Sequence, residues 1–273
     1  MKDDNLGDKG MDLENRIAVI TGAGSGIGRE TAIELSRHGC TCVLVGRTED
    51  KLREVLGQVR EYAPASTAEA CDVSNEAQVK QMIQAVYERY GSIDILVNNA
   101  GIMVVKLFDE LSDEEFDSHM AINYNGAVYA TRAVVPIMKK QGKGAIINMA
   151  SVGGRLNLPG LTANTASKAA LFAFSESLHY ELRDKGIHVG VILPGGTQTG
   201  LFDTAVFNKL GEYYRDQSMM SPAKVATKIR EAIQKERFET IVPSSYKFII
   251  AFRGLFPGLF RKYLLRRLRP YMG

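Results

Sequence analysis

The feature that most constrains this chain is an apolar run, Ile17 to Thr21, that leads directly into a glycine-rich turn reading Gly22-Ala-Gly-Ser-Gly26-Ile-Gly28. Gly22 permits a tight turn, Gly26 lets the backbone approach phosphates, and Gly28 lets the following helix pack close to the strand. Free N–H groups at the start of that helix then face an anion. Glycines also collect at ordinary strand-to-helix turns. The position of this turn between a strand and a helix favours a nucleotide pyrophosphate site formed by Gly22, Ser25, Gly26, Ile27 and Gly28.

Short β-branched runs alternate with longer segments of helical period, and no repeat or low-complexity tract interrupts them. This alternation predicts an α/β fold in a single domain, a doubly wound parallel sheet with helices on both faces and a ligand crevice at the carboxyl ends of its strands. We predict strands near residues 17–21, 41–46, 67–71, 93–97, 145–150, 188–193 and 240–243. We predict helices near residues 26–38, 48–61, 75–90, 112–140, 164–185 and 222–236.

The length of 273 residues suits one large domain, and no linker divides it. We expect a flexible amino terminus at 1–13, a nucleotide-binding domain at 14–245 and a basic, apolar extension at 246–273. Seven bases and no acid follow Glu239, so the formal charge of +3 becomes about −4 for the residues before that tail. A mildly acidic body argues against a nucleic-acid-binding surface.

The three cysteines, Cys40, Cys42 and Cys71, have no metal-ligand partners nearby in the sequence. We predict no metal site and interpret the cysteines as buried, reduced thiols of a cytoplasmic protein. The first ten residues lack the apolar segment of a signal peptide.

Further motifs follow the predicted strands in a fixed order. They are Thr21–Gly28, Cys71-Asp72-Val73, Asn98-Asn99-Ala100-Gly101, Asn123, Ser151, Lys168 and Pro194-Gly195-Gly-Thr-Gln-Thr199. Over about residues 14–243 this series resembles the short-chain dehydrogenase/reductase family. The resemblance implies a seven-stranded Rossmann sheet that binds a nicotinamide dinucleotide.

The resemblance also implies where that dinucleotide lies. Asp72 and Val73 would border the adenine, and Asn99, Ala100 and Gly101 would follow the ribose. Pro194, Gly195, Thr197 and Thr199 would face the nicotinamide carboxamide.

The end of the second strand bears on the choice of cofactor. Arg47 follows Gly46 where a carboxylate would accept hydrogen bonds from a ribose 2′-hydroxyl. An arginine instead offers charge-assisted donors to a 2′-phosphate, so NADP is favoured over NAD. The alternative is that Arg47 is a solvated loop cation.

The catalytic positions depart from the family pattern. Members carry a serine, a tyrosine thirteen residues later and a lysine four beyond, and here these positions read Ser151, Asn164 and Lys168. In the family scheme the lysine lowers the tyrosine pKa and binds the ribose, the phenol exchanges a proton with the substrate oxygen, and Ser151 polarises the carbonyl. Asn123 would help to anchor a water that leads to Lys168. An asparagine amide cannot transfer that proton.

Three explanations of Asn164 remain open. It replaces a tyrosine deliberately, or the enzyme draws its proton from a water beside Lys168, or the protein binds the dinucleotide without turnover. Asparagine also suits a helix cap, which is compatible with all three. We interpret the chain as a carbonyl reductase or alcohol dehydrogenase for a hydrophobic substrate, with an NADP(H)-responsive, non-catalytic interaction protein as the alternative. The resemblance implies a homodimer or homotetramer built on the helices at 112–140 and 164–185.

The segment from Thr199 to Ser221 is apolar for a connection. Its large apolar residues are Phe202, Val206, Phe207, Leu210, Tyr213, Tyr214, Met219 and Met220. They suit either an adaptable lid over a hydrophobic substrate or a small helix packed on the core.

The extension at 246–273 mixes aromatic and leucine residues with bases, and Arg253, Gly254, Pro257 and Gly258 interrupt it. It is too short and too interrupted to span a bilayer. Its composition suits a helix pair on an anionic membrane surface. Alternatively, its apolar face closes the substrate cleft or packs on a second subunit.

Overall fold

The computed structural model of the protein describes residues 10–201, 209–215 and 219–272. Most of the predicted flexible terminus, residues 1–9, lies outside the described residues. Leu13 is buried in the core, so packing in the described part already begins before residue 14.

In the described part of the chain, seven parallel strands form one sheet in the order β3-β2-β1-β4-β5-β6-β7. The strands are β1 (Ile17–Thr21), β2 (Thr41–Gly46), β3 (Thr67–Ala70), β4 (Ile95–Asn98), β5 (Gly144–Met149), β6 (Ile187–Pro194) and β7 (Glu239–Val242). The strand order reverses between β1 and β4. Their carboxyl ends therefore open the crevice in which open α/β sheets bind ligands.

Helices connect the strands and follow the last of them. They are α1 (Gly26–Arg37), α2 (Glu49–Arg60), α3 (Glu76–Tyr90), α4 (Asp113–Met120), α5 (Gly126–Gln141), α6 (Gly153–Leu156), α7 (Thr162–Leu182), α8 (Lys209–Arg215), α9 (Pro222–Gln234), α10 (Tyr246–Leu255) and α11 (Pro257–Leu268). Short 3₁₀ turns cover Phe108–Glu110, Arg183–Lys185 and Arg269–Tyr271.

Side chains alternate across the sheet and build one core on each face. Ala18 and Ile20 of β1 face a core completed by α1, α2 and α9, whereas Val19 faces a core completed by α3, α5 and α7. The doubly wound α/β fold that the sequence predicts is confirmed. The cysteines are free and buried as predicted, and burial raises the pKa of the Cys40 thiol to about 12 and that of Cys71 to about 11.

The helix predicted over 112–140 is interrupted. A π-helical segment, Ala121–Asn125, separates α4 from α5. Contacts with distant parts of the chain hold this segment. Asn123 accepts a hydrogen bond from Ile102 N at 2.8 Å and donates to Ile102 O and to Ser167 Oγ, both at 3.1 Å. The wider π-helical turn directs the Asn123 side chain toward the carboxyl edge of the sheet.

The helix predicted near 164–185 is confirmed as α7, but the interpretation of Asn164 as its cap is wrong. The chain reverses at Gly160, where φ is +70°, and α7 then begins at Thr162 with Leu161 at the N-cap. Asn164 is the third residue of α7, and its side chain is buried.

The extension after β7 forms the helices α10 and α11, which part at Phe256. Tyr246, Ile250, Phe260 and Leu264 pack against residues of β6, α6 and α7. No helix in the described ranges has both the length and the apolar character needed to cross a bilayer.

Candidate active site

The glycine-rich turn has the geometry that its residues predict. Gly22 has a φ of +66°, in the left-handed region that favours glycine. A Cβ on Gly28 would overlap the Gly22 carbonyl oxygen and lie 2.5 Å from Asn99 Nδ2, so only glycine lets α1 pack this close to β1. Ser25 is the N-cap residue of α1, but its side chain caps no backbone N–H. The first amides of α1, at Gly26, Ile27 and Gly28, therefore face the crevice at the positive end of the helix dipole.

Gly26 differs from the prediction in one respect. A Cβ there would meet Thr199 Cγ2 at 3.0 Å and Thr199 Cβ at 3.2 Å. The loop after β6 thus lies directly against the glycine-rich turn. Because Gly26 has no side chain, the loop after β6 can pack against the glycine-rich turn, and the backbone of the turn also stays accessible to a phosphate.

The ends of β2 and β3 hold the residues predicted near the adenosine half. Arg47 is exposed directly after β2, Asp72 is partly buried after β3, and Val73 is buried. Burial alone would raise the pKa of Asp72, but hydrogen bonds from the Ser74 hydroxyl and backbone N–H, with the charge of Arg47, hold it below its usual value. A cation and a carboxylate therefore lie near each other at this end of the crevice.

Asn99 and Ala100 fasten the end of β4 to the end of β1. The backbone N–H groups of both residues donate to Thr21 Oγ1 at 3.0 Å, and Asn99 Nδ2 donates to Thr21 O at 2.9 Å. Beneath them Asn98 donates to Asn148 Oδ1 at 2.8 Å. These bonds hold the backbone from Asn99 to Gly101 open along the crevice.

Ser151, Asn164 and Lys168 line one cavity of about 210 Å³ at the carboxyl edge of the sheet. Ser151 Oγ accepts a hydrogen bond from Gly153 N at 3.0 Å and lies 3.5 Å from Pro194 O. The side-chain amide of Asn164 forms no hydrogen bond within the described residues. Asn164 and Lys168 lie one helical turn apart on α7. The sequence spacing therefore does bring these three side chains together.

Lys168 is the most perturbed base at the site. Its Nζ donates to Met149 O at 2.7 Å, and burial lowers its pKa from 10.5 to about 8. A Cβ on Gly101 would lie 3.4 Å from this Nζ and 3.1 Å from Asn123 Oδ1. Lys168 and Asn123 therefore face the same small space beside Gly101.

The loop after β6 covers the cavity. Pro194, Gly195, Thr197 and Thr199 all line it, and a bridge between Thr197 and Met220 holds the loop to the chain before α9. The remaining wall is mostly apolar. Its larger side chains are those of Ile27, Ile102, Met103, Met149, Val152, Leu156, Leu158, Leu161, Leu201, Tyr214 and Tyr246.

The sequence allows two interpretations of the segment from Thr199 to Ser221, a lid over the substrate or a small helix packed on the core, and the described part has features of both. Leu210 of α8 is buried against Val105 and Leu161, as a packed helix requires. Tyr214 lines the cavity and donates to Pro159 O at 2.9 Å. Phe202, Val206 and Phe207 lie outside the described residues.

The sequence does not place two side chains, Tyr246 and His119, near the site. Tyr246, the first residue of α10, packs on the loop after β6, because a Cβ on Gly195 would lie 2.6 Å from Tyr246 Cε2. Buried His119 accepts from Val104 N at 3.2 Å through Nε2, so its Nδ1 carries the proton and donates to Glu115 O. Burial and the charge of Lys168 lower the pKa of His119 below its usual value. The apolar composition of the extension is a signal for Tyr246, whereas no local signal identifies His119.

The sequence profile of short chain dehydrogenases matches residues 16–209. The chain belongs to the short chain dehydrogenase family. The expected resemblance is thereby confirmed, and the matched range contains the glycine-rich turn and the three residues of the cavity. The extension lies beyond it.

Relatives within the short chain dehydrogenase family are oxidoreductases. An uncharacterised oxidoreductase of Thermotoga maritima is 35% identical over 189 residues, which cover 69% of this chain and 74% of the relative. A short chain dehydrogenase/reductase from Burkholderia phymatum, solved with NAD, has a TM-score of 0.85 at 27% identity and covers 91% of this chain and 96% of its own. An alcohol dehydrogenase from the archaeon Thermococcus sibiricus, solved with 5-hydroxy-NADP, has a TM-score of 0.75 at 25% identity, with coverages of 84% and 96%. These structures support a nicotinamide cofactor.

Proposed function

We propose that this short chain dehydrogenase is an NADP(H)-dependent oxidoreductase that interconverts a hydrophobic carbonyl compound and its alcohol. The observation that carries the proposal is that Ser151, Asn164 and Lys168 line a mostly apolar cavity beside the glycine-rich turn. A few polar groups in an otherwise apolar pocket suit a substrate that has one reactive oxygen and is hydrophobic elsewhere.

The residues present fit a dinucleotide. The close approach at Gly28 and the uncapped amides of α1 form a cradle for the pyrophosphate, and the backbone from Asn99 to Gly101 would hold the ribose. Arg47 supports NADP over NAD, because its exposed guanidinium can pair with a 2′-phosphate. When bound, the cofactor supplies or accepts the hydride.

The chain's own residues provide binding and proton transfer. Ser151 donates a hydrogen bond to the substrate oxygen and polarises the carbonyl. We infer that Asn164 occupies the position of the family tyrosine, where its amide orients the same oxygen but transfers no proton. Lys168 has a pKa of about 8 and can release a proton near neutral pH, through the space it shares with Asn123.

A second candidate function is dinucleotide binding without turnover. Asn164 favours it, because no titratable group replaces the phenol at that position of α7. Positioned acid–base catalysis is worth about 10² to 10⁴ in rate, so its loss would leave binding intact and turnover slow.

The deciding experiment compares the wild type with Asn164→Tyr, with Asn164→Phe as a matched control that adds the ring without the hydroxyl. NADPH binding is measured by calorimetry, and NADPH oxidation is measured against a panel of hydrophobic ketones and aldehydes. We expect all three proteins to bind NADPH and the tyrosine variant alone to gain about 10²-fold or more in kcat.

Other results lead to other conclusions. NADPH binding with no turnover by the wild type or the tyrosine variant on any carbonyl would favour the non-catalytic alternative. If neither NADPH nor NADH produces heat on titration, both candidate functions are wrong. An equal gain in the phenylalanine variant would show that packing at residue 164 matters and proton transfer does not.

A further inference from the structure

The extension formed by α10 and α11 has two apolar faces. Tyr246 and Ile250 lie one turn apart on α10, and Phe260, Leu264 and Leu268 lie at one-turn intervals on α11. These residues form an inner face that packs on the core. A surface helix needs only one such face, because the opposite side normally carries polar residues. The second face therefore needs a separate explanation.

The outer face exposes a stripe of large apolar side chains along each of the two helices. Phe248, Phe252 and Leu255 follow one another at helical spacing on α10, and Leu259 and Tyr263 do so on α11, with exposures of 80%, 43%, 74%, 59% and 54%. Ile249, Phe256, Leu265 and Tyr271 are also exposed. In the rest of the described chain, Tyr62, Phe108, Tyr180 and Leu201 are the exposed large apolar residues, and they are scattered. A patch of this kind marks an interaction site.

The charge on this extension identifies what would cover the patch. Seven bases accompany it and no acidic residue does. Arg267 donates to the hydroxyls of Tyr213 and Tyr263, which fastens α11 beside α8. The other six form no ion pair with a described residue, and they are Lys247, Arg253, Arg261, Lys262, Arg266 and Arg269.

A second copy of the chain is a poor partner for this surface. A twofold interface places the same patch on both subunits, so it would bring the two clusters of bases together. An anionic bilayer instead offers phosphates to the bases and an apolar layer to the aromatic and leucine side chains.

We propose that the outer face of α10 and α11 docks on the surface of an anionic lipid bilayer. Phe248, Phe252, Leu255 and Leu259 enter the boundary between headgroups and acyl chains, and the bases lie at the level of the lipid phosphates. The helices lie along the surface, in keeping with the absence of a spanning helix among the described residues. This docking does not depend on the proposed catalytic function.

The test is co-sedimentation of the full chain with vesicles. Vesicles of equimolar phosphatidylglycerol and phosphatidylcholine are compared with vesicles of phosphatidylcholine alone. We expect binding to the anionic vesicles that weakens with salt, and little binding to the neutral ones. Replacing Arg261, Lys262 and Arg266 by glutamine should weaken binding by roughly a hundredfold, at about fivefold for each base.

A second triple variant, Phe248→Ser with Leu255→Ser and Leu259→Ser, tests the apolar stripe. These side chains are exposed, so the fold stays intact, and binding should fall by roughly tenfold or more. Matched controls are Phe108→Ser with Tyr180→Ser, and Lys139→Gln with Lys185→Gln and Lys224→Gln, which alter exposed residues outside the extension.

The proposal is overturned if the wild type does not bind anionic vesicles, or if the controls lose as much affinity as the extension variants. It is also overturned if sedimentation velocity shows an oligomer that the serine variant dissociates, because a second copy would then cover the patch.

Discussion

Replacing Gly28 with alanine should destabilise the protein by about 2–3 kcal/mol, the cost of forcing an extra carbon into a packed contact. The added Cβ would lie 2.8 Å from the Gly22 carbonyl carbon and 2.5 Å from Asn99 Nδ2, and it would overlap the Gly22 oxygen. The Asn99 side chain cannot move away easily, because its Nδ2 donates a hydrogen bond to Thr21 O at 2.9 Å. The helix α1 must therefore move away from β1.

The matched control is Gly57→Ala. Gly57 is exposed in the middle of α2, and nothing lies within 4 Å of an added Cβ. Alanine there should stabilise the helix by up to about 1 kcal/mol. Thermal unfolding followed by circular dichroism should show a Tm lower by roughly 5–10 °C for Gly28→Ala and a slightly higher Tm for Gly57→Ala. The reasoning fails if Gly28→Ala melts with the wild type, or if both variants lose the same stability.

Two further predictions concern charged groups. Burial lowers the pKa of Lys168 from 10.5 to about 8. Between pH 8 and pH 10.5 this lysine is therefore less protonated in the folded state than in the unfolded state. The stability of the wild type relative to Lys168→Met should then rise by about 3 kcal/mol from pH 8 to pH 10.5. Urea denaturation at both pH values checks this, and a difference independent of pH would contradict it. Arg47→Glu should weaken NADPH binding by about 10–100-fold and leave NADH binding unchanged or stronger. Calorimetry with both coenzymes measures this, and equal losses for the two would show that Arg47 does not select the phosphate.

The sequence predicts the sheet and most helices because their signals are local. Alternation in β1 places Ala18 and Ile20 on one face and Val19 on the other, and each face finds its own core. Every predicted strand appears, and so does every predicted helix except that over 112–140, which is divided in two; the outer ends all lie within three residues of the prediction. The interruption at Ala121–Asn125 is different. It depends on hydrogen bonds between Asn123 and Ile102 and Ser167, which adjoin it only in the folded chain.

The same distinction divides the candidate site. Ser151, Asn164 and Lys168 meet in one cavity because a strand end and one helical turn fix their relative positions, and spacing encodes both. Spacing does not encode burial, so the low pKa of Lys168, which burial causes, becomes evident only in the folded structure. Nor does spacing predict that α7 begins two residues before Asn164, at Thr162, just after the turn at Gly160.

The position of the extension decides how its role can be tested. Since β7 ends at the same carboxyl edge as the other strands, α10 begins at the cavity, and Tyr246 forms part of the wall against Gly195. Deleting residues 246–273 would therefore open the cavity, uncover the core residues on which Phe260 and Leu268 pack, and remove the outer stripe all at once. Loss of vesicle binding in such a truncated chain would carry little meaning. Substitutions at exposed positions such as Phe248 and Arg266 change the outer face alone, so they separate membrane docking from the integrity of the site.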